Sequence, residues 1–289
     1  MMPDGWGLAA IAAKLALYSG VSVATGSVLV RLTFFDLLTP QATRLRRLAM
    51  GGALVALFAA GLGFVLQGAA LTGSAEGMID PEILSLLWQT PVGEALVLRL
   101  VGLSLFLLGL WVLRIGWGLA ACGGAIALWS FTAIGHMSEH EGLGLRILLW
   151  LHLAGVAFWI GVLSPLRHWA RAKQHLSEAG ELGHRFGRIA AIIVPGLGLA
   201  GVVMAWVLVG SLTTLVSTGY GLAFLAKVAL VSVLLSLASL NKLRFVPGLR
   251  SGDAQSSKAL DRVIVIEAVL FAMILATTAV LTSVLSLPM

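Results

Sequence analysis

Two histidines stand four residues apart in the segment Gly135-His136-Met137-Ser138-Glu139-His140-Glu141. On a helix that spacing sets two imidazoles one turn apart on one face, where they can share a metal ion. Met137, between them, adds a thioether. His152 follows after a short loop, at the start of the next apolar stretch, and an antiparallel hairpin brings it opposite His136. Imidazole nitrogens suit copper, zinc, iron and nickel, whereas a thioether favours copper, Cu(I) above all. No carboxylate pair lies within an apolar stretch, which argues against magnesium or calcium. His136, His152, His140 and Met137 are therefore the candidate metal ligands. The plainer reading of the segment is a helix end carrying hydrated polar residues.

The remaining histidines, His168, His175 and His184, are not at i, i+4 spacing. They read as part of an amphipathic surface helix near lipid headgroups rather than as ligands. Cys122 is the single cysteine, which excludes an internal disulfide and a cysteine-based zinc knuckle. The sequence contains no nucleotide-binding loop, no Ser-His-Asp pattern and no paired catalytic carboxylates, so no enzyme activity is expected.

The elements that must position these residues are membrane helices. Charged residues make up 11% of the 289-residue chain and apolar residues 59%. A soluble domain carries about 25% charged residues, so this chain lacks the polar surface that water requires. Apolar stretches near the roughly 20 residues that span a bilayer recur at 8–30, 48–71, 93–113, 118–138, 146–165, 189–211, 221–241 and 263–286. The expected fold is all-α: a polytopic bundle of eight transmembrane helices forming one domain over 1–289. The N-terminus lacks a positive n-region and Asp4 is acidic, so the first stretch is expected to stay as a helix and not to be cleaved as a signal peptide.

The net charge of +6 does not point to nucleic acid, because the basic residues recur in alternate loops. Arg31, Arg44, Arg46 and Arg47 follow the first stretch, and Arg114 follows the third. Arg167, Arg171, Lys173, Arg185 and Arg188 follow the fifth, and Lys242, Arg244, Arg250, Lys258 and Arg262 the seventh. The intervening loops carry Glu76, Asp80, Glu82, Glu139 and Glu141, with Arg146 as the basic exception. The excess of Lys and Arg places the basic loops in the cytoplasm. Both termini then face the other side, the periplasm in a Gram-negative cell.

Short matches suggest an internal duplication with halves at 1–140 and 141–289. Arg44-x-x-Arg47-Leu-Ala resembles Arg185-x-x-Arg188-Ile-Ala. Gly93, Arg99 and Arg114 share their spacing with Gly221, Lys227 and Lys242, and Lys14-Leu-Ala pairs with His152-Leu-Ala. Two four-helix halves would be parallel repeats about an axis along the membrane normal. Ionisable residues inside a membrane cost about 2.5–3.5 kcal/mol each on insertion scales. Lys14, Arg99, His152 and Lys227 each fall about six residues, or about 9 Å, inside the outer end of a helix. They predict a polar layer or vestibule at that end, with Glu267 near the inner end of the last helix. Glu94 is a candidate partner for the basic pair Arg99 and Lys227. Gly61, Gly63, Gly196, Gly198 and Gly201 are candidates for close helix contact.

The chain resembles the copper resistance protein D (CopD) family of bacterial inner-membrane proteins. The resemblance rests on Gly135-His136, Leu151-His152-Leu153, Phe158-Trp159-Ile160-Gly161, Arg185-Phe186-x-Arg188, Tyr220-Gly221 with Lys227, Asn241-x-x-Arg244 before Pro247, and Glu267. It implies a copper-binding inner-membrane protein that takes copper from the periplasm for import or homeostasis. It also implies His136 and His152 as copper-site residues, and a separate periplasmic copper-binding partner of the CopC type. Lys14 stands where a ligand set symmetric between the halves would need a histidine. The alternative is a haem b protein, an oxidoreductase or electron carrier, in which histidines ligate the iron and Arg99, Lys227 and Lys14 meet the propionates.

Overall fold

The computed structural model describes residues 5–112, 116–134, 142–209 and 212–283. The described residues are helical almost throughout, with no strand. The helices are α1 (Gly5–Thr33), α2 (Phe35–Leu38), α3 (Ala42–Thr72), α4 (Pro81–Trp88), α5 (Pro91–Trp111), α6 (Gly116–Trp129), α7 (Leu143–Ala170), α8 (Leu176–Val209), α9 (Leu212–Ser217), α10 (Gly219–Leu240), α11 (Val246–Arg250) and α12 (Ala254–Leu281). Seven are long and apolar enough to cross a bilayer: α1, α3, α5, α7, α8, α10 and α12. The predicted helix 118–138 is α-helical over the 14 residues of α6, followed by a 3-10 turn at Ser130–Thr132. Fourteen residues rise about 21 Å, short of a hydrocarbon core of about 30 Å. Residues 135–138 lie outside the described residues.

Several helices begin earlier than the apolar pattern predicts, because caps and not hydrophobicity set their starts. Thr90 caps α5, its hydroxyl accepting from Val92 N–H, and Pro91 occupies the first turn, where its missing N–H costs nothing. Thr218 caps α10, accepting from Gly221 N–H. In both cases a glycine three residues past the cap lies against the carbonyl of the preceding short helix. A Cβ on Gly93 would collide with the Trp88 carbonyl, and one on Gly221 with the Leu215 carbonyl. The long cytoplasmic loop expected at 167–188 is correspondingly short. α7 runs on to Ala170 and α8 begins at Leu176, so the predicted surface helix is the first part of α8.

The core divides in two. Leu17, Val21, Ala53, Ala56, Leu103 and Phe106 pack among α1, α3, α5 and α6. Trp159, Val162, Leu234, Ile264, Leu270 and Phe271 pack among α7, α10 and α12. The two meet where α1 crosses α7 at Gly26, Ala157 and Gly161, with no room for a side chain on either glycine. Close approach at small residues is how apolar helices associate in lipid. The glycines predicted for this role do not fill it. A Cβ on Gly61, Gly63, Gly196, Gly198 or Gly201 would meet nothing within 4 Å, because these residues lie on surfaces no neighbouring helix covers. Phe58, Trp111, Ile192 and Trp206 are 70–80% exposed, as a lipid-facing surface requires.

Polar contacts tie the helix ends together. At the basic end Arg185 bonds Asp36 at 2.6 Å and Glu181 at 2.7 Å, and Arg167 bonds Asp261 at 2.7 Å. Gln41 donates to the Pro165 carbonyl at 3.2 Å, and Ser257 to the Ala170 carbonyl at 2.5 Å. The Trp117 ring receives both Arg31 and Arg46, at 5.7 and 5.9 Å. His168 and His175 are engaged here by Arg44 and Glu178. At the opposite end the start of α1 meets the end of α12, through Lys14 and Tyr18 against Thr282.

Candidate metal centre

The predicted polar layer is present, two to three residues deeper than expected. Lys14 and His152 stand nine residues after the first residues of α1 and α7, and Arg99 and Lys227 eight after those of α5 and α10. That depth is about 12–14 Å along each helix. The earlier helix starts account for the added depth.

The layer forms two groups. In the first, Arg99 is 8% exposed. Its Nε donates to Ser130 Oγ at 3.2 Å, and its guanidinium lies 5.3 Å from the Phe131 ring centre. Ser130 in turn donates to the Ala127 carbonyl at 2.7 Å. The Phe131 ring meets Tyr18 edge-on at 5.2 Å, and the Tyr18 hydroxyl lies 3.1 Å from Thr282 Oγ1. Lys14 Nζ donates to the Thr282 carbonyl at 2.8 Å. Among the described residues neither Lys14 nor Arg99 has a carboxylate partner. The predicted pairing of Arg99 with Glu94 is replaced by a hydroxyl and a ring face, which satisfy a guanidinium without a counter-charge.

The second group surrounds His152. Two residues earlier, Trp150 Nε1 donates to the Ala125 carbonyl at 2.9 Å, and its ring meets Trp129 edge-on at 6.3 Å. Trp150 therefore locks the start of α7 against α6. His152 is turned about 200° from it around the helix, toward α8 and α10, where the Leu197 carbonyl and Lys227 are its polar neighbours. The hairpin geometry expected from sequence thus aims Trp150, not His152, at α6. Among the described residues His152 Nδ1 is buried with no hydrogen-bond partner, where a buried imidazole nitrogen normally finds one.

His136, Met137 and His140 lie outside the described residues. So do Glu139 and Glu141. Among the described residues no three His, Cys, Asp or Glu side chains are grouped to hold a metal ion. Of the four predicted ligands only His152 lies among the described residues; the other three belong to 135–141, the segment between α6 and α7 in sequence. Sequence reasoning missed Tyr18, Ser130, Phe131 and Thr282. Lys14 and Tyr18 at i, i+4 on one helix face were a readable signal. Thr282 was not, because its role depends on which helix end comes to rest beside α1.

Neither a curated protein nor a solved structure matches the chain. Two family descriptions do. Residues 2–147 match the copper resistance protein D-like N-terminal domain, and residues 180–281 match copper resistance protein D. With these matches covering most of its length, the chain belongs to the copper resistance protein D family.

Proposed function

We propose that this protein binds copper within a bacterial inner membrane, accepting it at the periplasmic face and mediating its import or homeostasis without enzymatic activity. The observation that carries this reading is the buried, unbonded Nδ1 of His152, in a chain whose family is described by copper resistance. His152 holds the ion from the side of α8 and α10, and His136, His140 and Met137 supply the remaining ligands. Copper is the cargo, and a separate CopC-type periplasmic protein delivers it. Lys227 lies near His152 and repels a cation, so the ligands from 135–141 must outweigh it; Glu139 and Glu141 in the same segment supply negative charge.

The excess of basic residues at one end of the bundle supports cytoplasmic placement of that end, with both termini periplasmic. This orientation needs eight crossings, the fourth made by α6 and the residues after it. The matched starts of α5 and α10, and the matched depths of Lys14 with His152 and of Arg99 with Lys227, support a duplication into parallel four-helix halves.

The test is metal analysis of purified protein beside His136→Ala and His152→Ala, followed by copper uptake into sealed proteoliposomes. Wild type is expected to hold copper that both variants lose, and to accumulate it inside vesicles. Equal copper in all three proteins removes the site, and binding without uptake leaves a sensor or store. A second reading, haem b ligation, is favoured by one observation: Lys14 and Arg99 are cationic at the same depth, with no carboxylate among the described residues to meet them. A Soret band that co-purifies with the protein and is lost in His152→Ala would establish it.

A further inference from the structure

Glu267 on α12 takes no part in a site at the opposite end of the bundle, yet it is 2% exposed. It accepts a hydrogen bond of 2.9 Å from Asn241 Nδ2. Asn241 opens a π-helical turn, Asn241–Phe245, where α10 passes into α11. Such turns are rare and are frequently found at functional sites. Asn241 Oδ1 is also buried, with no hydrogen-bond partner among the described residues. An acid thus faces an amide whose oxygen lacks a donor, on a stretch of α12 where Ile264, Leu270 and Phe271 are buried.

Among the described residues no cation forms an ion pair with the carboxyl. On α10, Lys227 stands about 21 Å before Asn241 along the helix. In the π turn and α11, Lys242, Arg244 and Arg250 are exposed. On α7, Arg167 is held by Asp261, about 9 Å from Glu267 along α12. On α1, Arg31 donates to the Phe35 carbonyl and the Thr39 hydroxyl. On α8, Arg185 is held by Asp36 and Glu181. An ionised Glu267 would set a bare negative charge beside an unbonded carbonyl oxygen, both away from water. A single proton on the carboxyl removes the charge and supplies the missing donor. The amide N–H then bonds one carboxyl oxygen, and the acid O–H bonds Asn241 Oδ1.

We propose that Glu267 and Asn241 form a proton-binding site, in which the carboxyl is protonated at neutral pH and pairs with the amide through both of its oxygens. The site gives the cytoplasmic half of the bundle a titratable element of its own, seated at the irregular turn between α10 and α11. It stands apart from the copper reading, and its test uses metal-free protein.

The experiment is infrared spectroscopy of the purified full-length chain at neutral pH, with Glu267→Gln and Asn241→Leu beside it. Exposed carboxyls are ionised at that pH and give no acid carbonyl band. Wild type is expected to show one such band, lost in Glu267→Gln and moved to higher frequency in Asn241→Leu, where the acid has lost its amide partner. Glu267→Gln is expected to keep the wild-type melting temperature, because the amide mimics the neutral acid. Titration of wild type alone covers the case in which a variant fails to fold: the band must persist at neutral pH and fade only on alkalinisation. A wild-type spectrum without the band at neutral pH overturns the proposal. So does a band abolished by added sodium or potassium, which would mean that a metal cation occupies the oxygens.

Discussion

Lys14, on the first helix, donates to the backbone carbonyl of Thr282 at the end of the last one, at 2.8 Å. Thr282 is the C-cap of α12, where unsatisfied carbonyls concentrate the negative end of the helix dipole. A cation placed there satisfies one carbonyl and offsets the dipole. Lys14→Met is therefore expected to lower stability by about 1 kcal/mol, while Lys14→Arg keeps most of it. Thermal unfolding in detergent, followed by tryptophan fluorescence, measures the difference. Equal melting temperatures for Met and Arg would show that the ammonium contributes nothing beyond its alkyl stem.

The seam between the two halves depends on two glycines. A Cβ on Gly26 would run into the Ala157 carbonyl, and one on Gly161 into the Gly26 carbonyl. Backbone cannot yield as a flexible side chain can, so α1 and α7 would have to move apart. Gly26→Ala is expected to cost about 1–3 kcal/mol, the usual range for overpacking. Gly51→Ala, where nothing lies within 4 Å, is expected to be neutral or to gain up to about 1 kcal/mol from helix propensity. Retention on size-exclusion chromatography after stepwise heating ranks the two variants.

This contrast also shows what could be read from the chain alone. Apolar length and basic-loop alternation are one-dimensional properties, and they located all seven long helices. The layer of Lys14, Arg99, His152 and Lys227 was equally legible, because an ionisable residue at a fixed depth is visible whatever faces it. Which glycine meets a neighbour depends on helix rotation. Gly196, Gly198 and Gly201 look as suitable as Gly26 in sequence, and only the packed bundle separates them.

The depth of His152 along its helix was legible in the sequence and its direction was not, because a helix rotates about 100° per residue. The two-residue step from Trp150 to His152 therefore decides which neighbour each one meets. An indole that can donate to Ala125 and pack on Trp129 takes the α6 side, and His152 is left to α8. That competition between side chains has no signature in spacing.

Asp253 offers a prediction about pH. It caps α12, its carboxylate accepting from the N–H groups of Gln255 and Ser256 and from the Ser256 hydroxyl. These bonds hold its carboxyl below the usual range, the Ser256 hydroxyl contributing most. A group with a lowered folded-state pKa contributes stability above its unfolded-state value and loses it as pH falls through the folded-state value. Asp253→Ala is expected to melt lower than wild type at neutral pH, with the gap closing in acid. Asp253→Asn, still a good cap, is expected to show a smaller gap with little pH dependence. Melting curves across the acid range distinguish the three proteins.

The last prediction concerns Trp150, which is a ligand in neither the copper nor the haem b reading. Its indole N–H bonds the Ala125 carbonyl at 2.9 Å and its ring packs on Trp129, so it fixes the start of α7 relative to the end of α6. Those are the two ends that residues 135–141 connect. Trp150→Phe keeps a ring at the seam and removes the hydrogen bond, at a cost of about 1 kcal/mol in stability. If His136, His140 and Met137 complete a site with His152, a shifted seam misplaces them together. Copper affinity is then expected to fall by about tenfold or more, as when a group that orients metal ligands is lost. Titration of copper into the metal-free protein measures the affinity, and a melting curve on the same sample checks that the fold is kept. Unchanged affinity with lowered stability would mean that the ligands are positioned without the α6–α7 seam, and the copper site would have to be sought on the α8 and α10 side of His152.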